Sequence, residues 1–191
     1  MVITMNELLE IEYKMLLDKD IFYKILDDYK DDIHHQYTQT NFYLTNPYLK
    51  EKKYMLRIRE KENTYEMTLK RPHLNHSLET NINISLKDKD NILNGHISDN
   101  AIISILKDEG IDVNTLTNEI SLTTHRYDII LKEGTLSLDI NTYNNITDYE
   151  IEFEVSDEKT GYDKFLSIIK PYNLTYIKNN KSKIKRALDS I

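Results

Sequence analysis

The sequence contains no cysteine and only four glycines and three prolines in 191 residues. Without cysteine there is no disulfide framework, no thiolate metal site and no thiol nucleophile. The scarcity of glycine argues against glycine-rich phosphate loops, and neither GxxxxGK(S/T) nor GxGxxG occurs in the chain. Any phosphate chemistry must therefore depend on side chains.

Long apolar runs and an excess of basic residues are also absent. No run of about 18 or more apolar residues occurs, so no membrane-spanning segment is predicted. The N-terminus lacks a basic region followed by an apolar run, so no secretory signal is expected. The net charge of −7 does not indicate nucleic-acid binding. The sequence favours a cytoplasmic monomer or homodimer that binds neither nucleic acid nor membrane.

About eight segments alternate apolar and polar residues with the period of two that is typical of β-strands. Most of them follow one another closely, as do 53–61 and 65–71, a hairpin predicted to stop at Pro72. Helices are predicted at 18–29, within 87–109, at 157–169 and at 181–191, the second capped by Ser98 or Asp99. The predicted fold is α+β, mainly β: an eight-stranded closed antiparallel barrel with flanking helices, forming one domain over 1–191.

The polar rows of the predicted strands carry an uncommon charge pattern. Two rows hold glutamate pairs at i and i+2, and a third row holds an arginine pair: Glu10/Glu12, Glu150/Glu152 and Arg57/Arg59. Single bases lie on other strands: Lys14, Lys70 and Arg126. Each pair alone is more typical of a solvated strand face. The combined pattern indicates a functional site, because the glutamate pairs lie on the first and last predicted strands and basic residues lie on the strands between them.

If these rows face inward, the barrel encloses a polar tunnel with acids and bases in separate clusters. Glutamate oxygens suit Mg²⁺ or Mn²⁺. Arginine and lysine suit phosphate oxygens, and arginine binds them as a bidentate fork. A metal on one side and cations on the other describe a polyphosphate site, since phosphoryl transfer requires mainly positioning and charge neutralisation.

An ordered series of motifs resembles the CYTH superfamily, the triphosphate tunnel metalloenzymes. In chain order the motifs are E-x-E-x-K at 10–14, a strand at 39–43, R-x-R at 57–59, T-x-K-x-P at 68–72 followed by Glu79, T-x-x-R at 123–126, Asp139, E-x-E at 150–152 and S-K-x-x-R at 182–186. Each motif is weak alone, but the ordered set is specific. The chain is similar to the small single-domain members of low-GC Gram-positive bacteria, often labelled adenylate cyclase-like.

This resemblance implies a role for each matched side chain. The implied metal ligands are Glu10, Glu12, Asp139, Glu150 and Glu152. The implied triphosphate-binding residues are Lys14, Arg57, Arg59, Lys70, Arg126, Lys183 and Arg186. The implied catalytic residues are Glu12, Glu150, Glu152 and Lys14. One metal at Glu10 and Glu12 is expected to neutralise phosphate charge, and a second near Glu150 and Glu152 to activate a water.

The expected activity is hydrolysis of a triphosphate, foremost inorganic tripolyphosphate, with Mg²⁺ or Mn²⁺ as cofactor. One alternative is an adenylate cyclase that makes cyclic AMP from ATP, which would need an adenine pocket that none of the motifs encodes. A second alternative is a non-catalytic protein that binds polyphosphate or a nucleotide. Such a binder would gain nothing from paired carboxylates without a metal.

Overall fold

A computed structural model of the chain describes residues 11–73, 76–179 and 181–191. The strands are β1 (Ile11–Leu17), β2 (Ile33–Thr45), β3 (Met55–Lys61), β4 (Thr64–His73), β5 (His76–Ile84), β6 (Thr117–Ile130), β7 (Gly134–Tyr143) and β8 (Ile146–Val155). The helices are α1 (Lys19–Asp28), α2 (Pro47–Lys52), α3 (Leu86–Leu93), α4 (Ala101–Asp108), α5 (Glu158–Ile169) and α6 (Lys183–Leu188). Within this described part, no helix is long and apolar enough to cross a membrane.

The eight strands form one sheet in the order β1-β8-β7-β6-β2-β3-β4-β5. The predicted mainly β fold, with eight antiparallel strands and flanking helices, is confirmed. Closure of the sheet by hydrogen bonds is not observed among the described residues. Closure requires a ladder between the two end strands, whereas β1 is bonded to β8 and β5 to β4.

Two compact units make up the described chain, and β2 and β6 contribute residues to both of them. We call residues 11–38 and 122–191 the terminal unit, and residues 39–121 the central unit. Each unit has a hydrophobic core of its own. That residues 1–191 form a single domain stays a prediction.

The core of the terminal unit lies where the apolar faces of its strands meet α1 and α5. Tyr13 of β1 is opposite Phe153 of β8 in the antiparallel ladder, so both side chains lie on the same face. Phe22 of α1 and Phe165 of α5 are completely buried in this cluster. The neighbouring positions on each strand must then point to the opposite face, which is the polar row that the alternation predicts.

The central unit repeats this arrangement with other elements. Leu56 and Ile58 of β3 are opposite Leu69 and Met67 of β4, and all four are buried. Helix α4 adds Ile102 to the same cluster. With one face of β3 and β4 committed to the core, the alternate positions form a second polar face.

Asparagine side chains cap two helices at positions where the sequence did not predict a helix start. Helix α4 begins after Asn100, not after Ser98 or Asp99 as predicted. Asn46 caps α2, a helix that was not predicted, with Pro47 in its first turn. In both helices the asparagine side chain accepts a hydrogen bond from a backbone N–H three residues later, which satisfies a donor that the helix leaves free.

The prediction that β4 stops at Pro72 is wrong, because the strand continues to His73. The β3–β4 ladder ends where Met55 lies opposite Lys70, and beyond that point β4 is paired with β5. Pro72 therefore lies past the β3 ladder, where its missing N–H costs no hydrogen bond to β3.

Replacing Ile58 by alanine tests the core of the central unit. Ile58 is completely buried, so Ile58→Ala is expected to lower the free energy of unfolding by about 2–5 kcal/mol. The control is Ile177→Ala, at a position that is 74% exposed, with an expected change within about 0.5 kcal/mol. Urea unfolding of both variants measures the difference, and equal effects would contradict the assignment of the core.

Candidate functional site

The polar face of the terminal unit is formed by β1, β8, β7 and β6. In the ladders, Lys14 is opposite Glu152, while Glu150 is opposite Asp139. Arg126 is opposite Asp139 on its other side. Residues opposite one another in an antiparallel ladder point to the same side of the sheet. The structure thus brings five sequence-predicted site residues onto one face.

Asp139 lies at the centre of this face with its side chain completely buried. Arg126 donates two hydrogen bonds to it, from Nε to Oδ1 at 2.7 Å and from Nη2 to Oδ2 at 2.6 Å. Lys183 Nζ also donates to Oδ2. Burial alone would raise the pKa of Asp139, but Lys183 and Arg126 outweigh it and hold the pKa below its usual value. Asp139 is therefore a carboxylate at neutral pH.

Glu152 shares both of these cations. Arg126 Nη2 donates to Glu152 Oε2 at 2.5 Å, and Lys183 Nζ donates to Oε1 at 2.9 Å. Burial works to lower the pKa of Lys183, yet Asp139 and Glu152 raise it above its ordinary value. The two carboxylates thus keep Lys183 an ammonium despite its burial.

A second group of ion pairs adjoins the first. Glu150 is completely buried and accepts hydrogen bonds from Arg186 Nη2 at 2.8 Å and from Asn179 Nδ2 at 2.9 Å. Arg186 Nε donates to Asp148 Oδ2 at 2.9 Å. Sequence reasoning missed Asp148, although it precedes Glu150 by two residues and so belongs to the same strand row. Asn179 lies outside any helix or strand, and no pattern could have indicated it.

Glu12 and Lys14 form an ion pair at the β1 side of this face. The Glu12 side chain is 40% exposed, which makes it far more open than Asp139 or Glu150. Asn179 N donates to the backbone carbonyl of Lys14 at 3.2 Å, which ties the C-terminal segment to β1. Glu10, the predicted partner of Glu12 in metal binding, lies outside the described residues.

The polar face of the central unit carries the predicted arginine pair. Lys70 Nζ is 2.9 Å from Glu79 Oε2, whereas Arg57 Nη2 is 4.0 Å from Glu79 Oε1. Arg59 Nε donates to Asn41 Oδ1 at 3.0 Å. Arg57 Nε is buried and has no hydrogen-bond partner in the described part of the chain. A buried donor left unsatisfied is costly, so an anionic oxygen bound beside Arg57 would remove that cost.

The donor chemistry of the terminal unit fits a hard divalent cation, since carboxylate oxygens are the ligands that Mg²⁺ and Mn²⁺ prefer. Glu12 offers the most accessible of these carboxylates. The oxygens of Asp139 and Glu152 are bonded to Arg126 and Lys183, so metal binding there would require them to exchange partners. Among the residues described, no group of three or more such side chains is arranged to hold a metal ion.

Comparison with known proteins finds one family over nearly the whole chain. Residues 8–188 match the family model described as CYTH domain. A Bacillus subtilis (strain 168) protein named "Putative triphosphatase YjbK" is 30% identical over 189 residues, which cover 95% of this chain and 95% of that protein.

Solved structures share the fold. The crystal structure of a "putative adenylate cyclase" from Bacillus halodurans aligns with a TM-score of 0.79 and 32% identity, over 93% of this chain and 96% of that one. The structure of HpAC1 from Hippeastrum, described as a "putative adenylyl cyclase" with a dominant triphosphatase activity, aligns with a TM-score of 0.77 and 19% identity. That alignment covers 95% of this chain and 96% of HpAC1.

The variant Asp139→Asn tests the buried ion pairs through their pH dependence. The pKa of Asp139 is lower in the folded chain than in the unfolded one, so the unfolded state binds more protons as the pH falls. The stability that Asp139 contributes is therefore present above its unfolded pKa of about 3.9 and is lost below it. Asp139→Asn is expected to lose less free energy of unfolding than the wild type between about pH 6 and pH 3.

At neutral pH the same variant should be less stable by about 3–5 kcal/mol, because two buried cations lose a partner. The control is Asp163→Asn at an exposed position of α5, which should follow the wild-type pH profile. Urea unfolding at each pH gives the profiles, and identical profiles for Asp139→Asn and the wild type would show that Asp139 is not held in its charged form by its neighbours.

Proposed function

The chain belongs to the CYTH family, and on this premise we propose that it is an enzyme that hydrolyses a triphosphate with the help of a divalent metal ion. Inorganic tripolyphosphate is the proposed substrate, and Mg²⁺ or Mn²⁺ the proposed cofactor. The observation that carries this proposal is the buried cluster in which Asp139 and Glu152 share Arg126 and Lys183. A family relative named as a triphosphatase supports it.

Fixed cations are what a polyphosphate requires of a protein. Guanidinium groups bind phosphate oxygens as planar forks, and ammonium groups bind them as compact charges. In the terminal unit, Arg126 and Lys183 are held in orientation by two carboxylates before any anion arrives. In the central unit, Arg57 retains an unmet donor at Nε. Because these groups are already oriented, binding of the anion costs less entropy.

Different residues of the chain are assigned to the metal ion and to the triphosphate. We assign Glu12, with Glu10 and Glu152, to hold the metal, which when bound would neutralise phosphate charge and lower the pKa of a water. Asp139 keeps Arg126 and Lys183 charged and oriented toward the anion. Lys14 faces the same side of the sheet and is assigned to the triphosphate.

The proposal also gives roles to the remaining site residues. Arg57, Arg59 and Lys70 are assigned to phosphate oxygens, and Glu150 with Asp139 to the support of the metal site. We further propose that the protein works in the cytoplasm as a monomer or homodimer, with a small-molecule triphosphate as its partner and without nucleic acid or membrane.

Product analysis tests the proposed reaction against its alternatives. The purified protein is incubated with tripolyphosphate, ATP, GTP or thiamine triphosphate, each with Mg²⁺ or Mn²⁺ or with chelator. Metal-dependent release of orthophosphate, greatest from tripolyphosphate, is the expected result. Cyclic AMP with pyrophosphate would establish the cyclase suggested by the name of the Bacillus halodurans relative. Binding without any product would establish a sensor instead.

The variant Glu12→Gln tests the metal assignment directly. Gln keeps the size of the side chain but removes the charge that a divalent cation requires, so metal-dependent release of phosphate should be lost while the protein stays folded. The matched control is Glu51→Gln at an exposed position of α2, which should retain wild-type turnover. Circular dichroism verifies folding of both variants, and unchanged turnover in Glu12→Gln would overturn the assignment.

A further inference from the structure

The guanidinium group of Arg186 has no hydrogen-bond donor to spare. Nε donates to Asp148 Oδ2 at 2.9 Å, and Nη1 donates to Glu150 Oε1 and to the carbonyl of Lys181, both at 3.2 Å. Nη2 donates to Glu150 Oε2 at 2.8 Å and to Asp148 Oδ1 at 3.3 Å. Arginine has five N–H donors, and all five have acceptors within the protein. A phosphate could reach Arg186 only by displacing one of them.

The two carboxylates that bind Arg186 are themselves fixed by other groups. Asn141 Nδ2 donates to Asp148 Oδ1 at 2.9 Å, and Tyr143 Oη donates to Asp148 Oδ2 at 2.6 Å. Burial, together with the Asp148 carboxylate, raises the pKa of Tyr143 to about 12, so its hydroxyl remains a donor. Glu150 accepts a further bond from Asn179. Arg186 is thus bound to two carboxylates of β8 that other side chains hold in place.

Helix α6 needs contacts with the rest of the terminal unit to keep its position. It has six residues, and a helix this short is not stable on its own. Ala187 is its buried apolar residue, which supplies little hydrophobic area. Asn144 donates to the carbonyl of Ala187 at 3.1 Å and to Ser190 Oγ at 2.9 Å, at the other end of the helix. Ile184 and Leu188 are half-buried, and the hydrogen bonds of Arg186 and Asn144 add the directional contacts that fix α6 against the sheet.

Lys183 lies three residues before Arg186, so both side chains project from the same side of α6. Its ammonium reaches Asp139, Glu152 at 2.9 Å and Glu150 at 3.7 Å. Glu150 is thus shared, since Arg186 binds it while Lys183 lies beside it. The position of the Lys183 ammonium depends on how firmly α6 is docked.

We propose that Arg186 is a positioning residue, which docks α6 through Asp148 and Glu150 and so holds Lys183 in place to bind the anionic substrate. This inference rests on the proposed function, because it concerns the triphosphate site. It differs from the role that the motif match implies for Arg186, which is direct contact with the triphosphate. It also gives Asp148, which the motifs do not include, a defined part in substrate binding.

The variants Arg186→Gln and Asp148→Asn separate positioning from direct binding. If Arg186 positions Lys183, both variants loosen α6, and both should raise KM for tripolyphosphate by about tenfold or more. If Arg186 binds phosphate directly, Asp148→Asn removes a competing negative charge and should leave KM unchanged or lower it. The double variant adds a second criterion, because substitutions of two residues in one contact have non-additive effects. The KM of the double variant is expected to be no higher than that of Arg186→Gln.

Backbone hydrogen exchange of residues 183–188 supplies a measurement that needs no activity. Faster exchange is expected in Arg186→Gln and in Asp148→Asn. The control Lys185→Gln changes an exposed charge of the same helix and should alter neither exchange nor KM. If Arg186→Gln does not fold, Asn144→Gly replaces it: glycine keeps the positive φ of 44° at this position while removing both contacts to the end of α6.

The outcomes distinguish failure of this inference from failure of the proposed function. A wild-type protein without triphosphate turnover refutes the proposed function, and exchange then decides the docking role alone. Unchanged exchange in Arg186→Gln and Asp148→Asn overturns the inference whatever the activity. A raised KM in Arg186→Gln with an unchanged or lowered KM in Asp148→Asn also overturns it, and makes Arg186 a ligand of the substrate.

Discussion

The terminal unit depends on the buried carboxylate of Asp139. Burying an unpaired carboxylate would cost several kcal/mol, and this cost is offset here because Arg126 and Lys183 bind both of its oxygens. Asp139 therefore requires that β6 and the C-terminal segment converge on β7. The same requirement leaves two cations concentrated on one face of the sheet, where an anionic substrate would meet them.

Each strand has an apolar row and a polar row, so the charged side chains can lie together without disturbing the hydrophobic core. Helices α1 and α5 cover the apolar face of the terminal unit, as Phe22 and Phe165 show. The polar row is then free of any role in the hydrophobic core and can be given to charged groups. The central unit follows the same plan, with Arg57 on the face opposite Ile58.

The features of the fold that follow from alternation were predictable. The period of two places Glu12 and Lys14 on the face opposite Tyr13, and Asp139 on the face opposite Leu138. The partners within that face were not predictable, because they depend on strand register and on segments far apart in the chain. Arg186 lies 38 residues from Asp148, and nothing in the local sequence shows that its donors are fully used. The start of α2 was missed because an Asn-Pro pair serves equally well in a turn and in a helix cap.

Crystals grown with Mn²⁺ and tripolyphosphate provide the most direct measurement of the central claim, that the polar face of the terminal unit is a metal-dependent triphosphate site. Anomalous scattering locates the manganese without any assumption about its ligands. An anomalous peak is expected at the Glu12 carboxylate, with phosphate oxygens in contact with Lys183 and Arg126. Manganese absent from Glu12, with Asp139 and Glu152 still bonded only to Lys183 and Arg126 and no phosphate bound there, would contradict that claim.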